Sequence, residues 1–88
     1  MSSYQLLYKK PAAKDVHKLP IQIQKRLKSK LEWFAEQTDP LCFAEPLTKP
    51  ADAQYRFRVG SYRVLFDVEG NNLVILHVQH RREVYRSR

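Results

Sequence analysis

The sequence predicts an α+β fold: an N-terminal strand, a helix hairpin, then a three- to four-stranded, mainly antiparallel sheet. Three observations carry this expectation. Apolar residues recur every three or four positions from Ile23 to Ala35. Residues 54–59 alternate in polarity. Two turn signals, Gly60-Ser61 and Glu69-Gly70-Asn71-Asn72, divide the apolar runs that follow.

Taken in order, residues 3–8 read as the first strand, with Tyr4, Leu6 and Tyr8 on one side. Pro11 suits a first helical turn, and Ala12, Val16 and Leu19 form one face of a short helix. Pro20 ends that helix and opens the next. Ile23, Leu27, Leu31, Phe34 and Ala35 make the apolar stripe of the second helix, opposite Lys25, Arg26, Lys28, Ser29 and Glu32. Trp33 borders the polar side and is read as covering the helix hairpin or a partner contact. Thr38-Asp39-Pro40 stops the helix, and residues 39–53, with Pro40, Pro46 and Pro50, are expected to be a long loop.

In residues 54–59, Tyr55, Phe57 and Val59 point one way and Gln54, Arg56 and Arg58 the other. Residues 62–68 form the next strand. Residues 73–78 are almost wholly apolar, which predicts an interior strand. His77 lies within that run and is read as a packed residue. Glu83-Val84-Tyr85 offers a short last strand.

At 88 residues the chain has room for one domain, 1–88. Its 43% hydrophobic content suffices for one modest core with little stability in reserve. Cys42 is the sole cysteine, so no internal disulfide can staple the domain; a reducing cytoplasm is expected. Cys42 itself reads as a small core or loop residue. The first residues carry no signal core, and no stretch approaches the ~20 apolar residues of a membrane helix. The expectation is a soluble, cytoplasmic protein with no membrane partner.

Sixteen Lys and Arg against nine Asp and Glu give a net charge of +7, which favours polyanionic partners. From Arg56 onward there are seven arginines and no lysine. Planar, forked guanidinium groups fit phosphate better than generic charge does. On a strand, Arg56 and Arg58 share a face roughly 6–7 Å apart, close to the spacing of successive phosphates in a single RNA strand. Arg63 is expected beside them, and the segment from His80 to Arg86 can close the same cleft. A solvated strand face is the ordinary alternative for such alternation.

The sequence has no cluster of His, Cys and carboxylate with metal-ligand spacing, no glycine-rich phosphate loop and no nucleophile elbow. No metal or cofactor is therefore expected. RNA cleavage needs the 2′-hydroxyl to lose a proton, positive charge on the phosphorane, and a proton for the leaving 5′-oxygen. Clustered arginines supply the charge. Tyr85, His80 or Lys49 are the candidates for proton work, since arginine stays protonated. Guanidinium neighbours would favour the phenolate of Tyr85, whose ordinary pKa is ~10.

These residues resemble a known family. Tyr55-Arg56-Phe57-Arg58-Val59-Gly60-Ser61-Tyr62-Arg63-Val64-Leu65-Phe66 is similar to the strand pair of RelE/ParE toxins, and His80-Arg81-Arg82-Glu83-Val84-Tyr85 is similar to that family's close. Lys18-Leu19-Pro20 stands where the family joins its helices. Pro46-Leu47-Thr48-Lys49 resembles the loop before the strands, without its glycine. The resemblance spans essentially the whole chain.

The resemblance implies a RelE-like, microbial-ribonuclease-like architecture and the toxin of a type II toxin–antitoxin system. It implies a metal-independent endoribonuclease that cuts mRNA on the ribosome and is neutralised by a cognate antitoxin, in a toxin–antitoxin hetero-oligomer. The catalytic positions carry over to Arg56, Arg58, Arg63, Arg81 and Tyr85. Arg56 and Arg58 would hold the phosphate, Arg63 and Arg81 the phosphorane, and Tyr85 a proton or a stacked base. Lys49, His80, Arg82 and Arg86 would bind RNA. The family's first two basic positions can be lysines; here both are arginines, which shifts proton work toward Tyr85 or His80. With Arg88 three residues past Tyr85, no long C-terminal helix is expected. The rival reading is a ParE-like inhibitor of DNA gyrase without nuclease activity, and the third an inactive member that only binds antitoxin or RNA.

Overall fold

A computed structural model describes residues 4–48 and 52–81. The chain runs β1 (Gln5–Tyr8), α1 (Lys10–His17), α2 (Ile21–Glu36), a 3₁₀ turn (Pro40–Phe43), β2 (Glu45–Pro46), β3 (Tyr55–Val59), β4 (Tyr62–Glu69) and β5 (Asn72–His80). Among the described residues, one five-stranded sheet has the order β1-β5-β4-β3-β2. β1 runs parallel to β5, and every other pair is antiparallel.

The expected α+β class and helix hairpin are present. β5 is interior, as its apolar run predicts. The region 39–53 differs from the long loop expected there: it contains the 3₁₀ turn and β2. Two residues are too few to show alternation, and proline argues against a strand except at an edge. β2 is such an edge, with Pro46 opposite Tyr55 and Glu45 opposite Arg56. The expected strand at Glu83-Val84-Tyr85 lies outside the described residues.

The stripe of α2 packs as its spacing requires. Leu27, Leu31, Phe34 and Ala35 are buried, and Ile23 packs against the same core. Phe34 stacks on Phe57 of β3 at 4.0 Å between ring centroids, and Phe57 stacks on Phe66 of β4 at 4.2 Å. This aromatic column joins the helix to the middle of the sheet. Leu73, Ile75 and Val78 complete the floor from β5. Trp33 does not cover the helix hairpin. Its ring meets Phe43 of the 3₁₀ turn at 5.1 Å, with the Lys30 ammonium 4.5 Å from its centroid.

β1 pairs with β5 only as far as Tyr8 and Ile75. Beyond that point α1 meets the edge of β5. Asp15 accepts the backbone N–H of Val78 at 2.9 Å, satisfying a donor that β1 does not reach. His77 is not packed as expected. Its side chain is 41% exposed and lies 3.6 Å from the Asp15 carboxylate. The reason is a register shift in the β4–β5 ladder. Leu65 pairs with His77 and Phe66 with Ile75, so Leu76 is an extra residue that reverses the alternation. No described helix is long and apolar enough to cross a membrane.

Candidate functional site

The β3–β4 hairpin builds the site. Gly60 has φ of +60°, whereas no non-glycine residue has positive φ among the described residues. A glycine at the first central position, followed by ordinary Ser61, is the pattern of a II′ turn, whose twist matches a tight hairpin. The turn places Val59 opposite Tyr62 and Arg58 opposite Arg63. Phe57 and Val59 face the core, so Arg56, Arg58 and Arg63 face outward.

The first residue after β5 returns to the same turn. The backbone N–H of Arg81 donates to Ser61 O at 2.9 Å. Arg58, Arg63 and Arg81 then line one small polar pocket with Gly60, Ser61 and Tyr62, about 190 Å³ in volume. Three of the five predicted catalytic residues thus meet here. The pocket presents cationic forks beside backbone polar groups, a chemistry suited to phosphate.

Arg56 sits two register pairs beyond Arg58, farther from the turn, and is committed differently. Its Nε donates to Glu45 Oε1 at 2.9 Å, and its Nη2 bonds the same oxygen. Arg58 Nε lies 3.4 Å from that oxygen. The hydrogen bond from Arg56 does most to hold the Glu45 carboxyl below its ordinary pKa; desolvation opposes it, and the charges of Arg56, Arg58 and Arg63 add to the lowering. Glu45 is therefore an ionised carboxylate set among arginines. Sequence reasoning passed over it. The one available signal was an acidic residue beside proline shortly before a basic strand.

His80 pairs with Tyr62 and meets its ring edge-on at 5.1 Å. It does not line the arginine pocket. Tyr85, Lys49, Arg82 and Arg86 lie outside the described residues. Cys42 is exposed on the 3₁₀ turn, away from the core.

A second concavity lies between the helices. Val16, Leu27 and Leu31 lie along this groove of about 480 Å³ with Tyr8, Ile21, Lys25 and Lys28. Ile21 is 61% exposed. Burial, and then the charge of Glu32, push the Tyr8 phenol above its ordinary pKa.

Residues 6–85 match the family model described as the ParE toxin of the type II toxin–antitoxin system parDE. The chain belongs to this RelE/ParE toxin family. It is similar to toxin RelG of Mycobacterium tuberculosis, with 34% identity over 94% of this chain and 97% of the relative. It is also similar to toxin RelE3 of Methanocaldococcus jannaschii, with 30% identity over 91% of this chain and 93% of the relative. Among solved structures, it resembles a chain of the RelBE2 toxin–antitoxin complex of M. tuberculosis, with TM-score 0.73 and 30% identity, covering 92% of this chain and 94% of that one. It likewise resembles a chain of the RelB–RelE antitoxin–toxin complex of Methanococcus jannaschii, with TM-score 0.68 and 28% identity, covering 92% and 96%. The RelE/ParE resemblance read from the hairpin and closing motifs is thus borne out. This RelE/ParE protein is a type II toxin with the α+β fold of RelE structures.

Proposed function

We propose that this toxin is a ribosome-dependent endoribonuclease that cleaves mRNA in the cytoplasm and so stops translation. The convergence of Arg58, Arg63 and Arg81 on one polar pocket carries this reading. In the step proposed, the 2′-hydroxyl loses its proton and O2′ attacks the adjacent phosphorus. The bond to O5′ breaks, leaving a 2′,3′-cyclic phosphate, and O5′ takes up a proton. The three arginines stabilise the added charge of the phosphorane, which forms only at the transition state. Arg56 is anchored by Glu45 and holds the strand of phosphates in register.

Arginine cannot take the proton. Glu45, ionised and within reach of the arginine face, is a group there that can. Tyr85 is assigned by resemblance to handling a proton or to stacking on a base, and Lys49, His80, Arg82 and Arg86 to holding RNA.

A cognate antitoxin is the expected partner, since the similar RelBE2 and RelB–RelE structures are toxin–antitoxin complexes. The apolar groove between α1 and α2, rimmed by Lys25 and Lys28, suits an acidic amphipathic segment. The match to a ParE family model favours DNA gyrase binding as the second reading. Incubating purified protein with an mRNA, with and without ribosomes, separates the two. Cleavage that needs ribosomes supports the nuclease; intact mRNA alongside inhibited gyrase supports the other.

A further inference from the structure

The register shift in β5 has a consequence for the arginine face. Leu73 and Ile75 are fully buried on the helix side. Continued alternation would turn residues 77 and 79 inward as well. The extra residue, Leu76, breaks that order. Val78 turns into the core at 5% exposure, and Gln79 comes to lie directly opposite Arg63. Arg63 in turn lies opposite Arg58. Directly opposed residues in antiparallel strands share a face. Arg58, Arg63 and Gln79 therefore form one row across three strands, with neighbours about 5 Å apart.

Asp15 of α1 holds the rearranged segment through its bond to the Val78 N–H. Gln79 is half-buried, and its side-chain amide bonds to no other described residue. It is an amide, with both donors and an acceptor, set beside two groups that only donate.

We propose that Gln79 hydrogen-bonds a ribose 2′-hydroxyl next to the phosphate held by Arg58 and Arg63, and so lets this face distinguish RNA from DNA. Arginines read phosphate, which both nucleic acids carry. The 2′-hydroxyl, a donor and an acceptor, is what separates them at a given site. Gln79 stands one strand beyond Arg63 in the row, about 5 Å away, within reach of a ribose joined to that phosphate. This rests on the reading of the arginine face as an RNA site, but not on its cutting RNA.

The test is a fluorescence anisotropy titration without ribosomes, using the full chain, an end-labelled oligoribonucleotide and the DNA oligomer of the same sequence. Wild-type protein should bind the RNA about fivefold more tightly, the worth of one net hydrogen bond. Gln79→Met and Gln79→Val should lower RNA affinity to that for DNA and leave DNA affinity unchanged. The second variant keeps a strand-forming residue in case the first perturbs packing. A preference that persists in both variants, or equal binding of RNA and DNA by wild type, overturns the proposal. Binding of neither oligomer overturns it together with the RNA reading of the face. An intact RNA preference without mRNA cleavage on ribosomes counts against the nuclease alone.

Discussion

Arg58 and Arg63 stand directly opposite each other across the β3–β4 hairpin. Like charges in such a pair disfavour folding by up to about 1 kcal/mol, so their opposition calls for a compensating role. Glu45 offsets part of the repulsion, and an anion in the pocket would offset more. Adding inorganic phosphate should therefore raise the melting temperature of the wild-type protein, by mass action on the folded state. Arg58→Gln should shrink that increase and change the phosphate-free stability by no more than about 0.5 kcal/mol. An equal phosphate effect in the variant would place the anion elsewhere.

Cleavage should respond far more strongly than stability. Removing one preorganised donor to a developing charge typically costs about 10²- to 10³-fold in kcat. Arg58→Gln and Arg81→Gln should each fall in this range in a ribosome-programmed cleavage assay. Circular dichroism should remain that of wild type.

Glu45 makes the fold sensitive to acid. Its pKa in the folded protein is below the unfolded value, chiefly through the Arg56 hydrogen bond. The pair therefore stabilises the fold above the ordinary carboxylate range, and this contribution is lost as pH falls through the depressed value. Urea unfolding across acidic pH should show a shallower loss of stability in Glu45→Gln than in wild type. The same variant should bind polyanions more tightly at low salt, because the arginine face loses its negative charge. Identical acid profiles would show that the carboxylate titrates alike in both states.

The turn at Gly60 is restrained by its backbone and not by crowding. A Cβ there would meet nothing within 4 Å, but φ is +60°. Gly60→Ala should cost about 1–2 kcal/mol, and Gly60→Asn less, because asparagine tolerates this region. Thermal melts check the ranking. A neutral alanine would contradict the II′ geometry on which the Arg58–Arg63 pairing depends.

The aromatic column is the largest single stake in the core. Phe57→Ala removes the ring stacked between Phe34 and Phe66 and should cost about 3–5 kcal/mol, a large share of a small domain's stability. Loss of the cooperative unfolding transition would meet this expectation. A change under about 1 kcal/mol would not.

Elements with a long period were legible in the sequence. The stripe from Ile23 to Ala35 and the alternation from Tyr55 to Val59 are set by burial on one face, and the structure follows both. The arginine face was legible for the same reason: fixing Phe57 and Val59 inward fixes Arg56 and Arg58 outward. What escaped depends on contacts between distant segments. β2 is two residues long and exists because Arg56 and Tyr55 pair with it. Glu45 becomes part of the site only through that pairing. The exposure of His77 and the placement of Gln79 follow from one unpaired residue, Leu76, inside a run whose apolar character hides any change of phase.

The most direct test maps mRNA ends by primer extension after in vitro translation with wild-type protein and with Arg58→Gln, Arg63→Gln and Arg81→Gln variants. If the arginine pocket cleaves mRNA, discrete cuts that need ribosomes appear with the wild type and are lost in all three variants. Intact mRNA with the wild-type protein, or cuts undiminished in the variants, would contradict it.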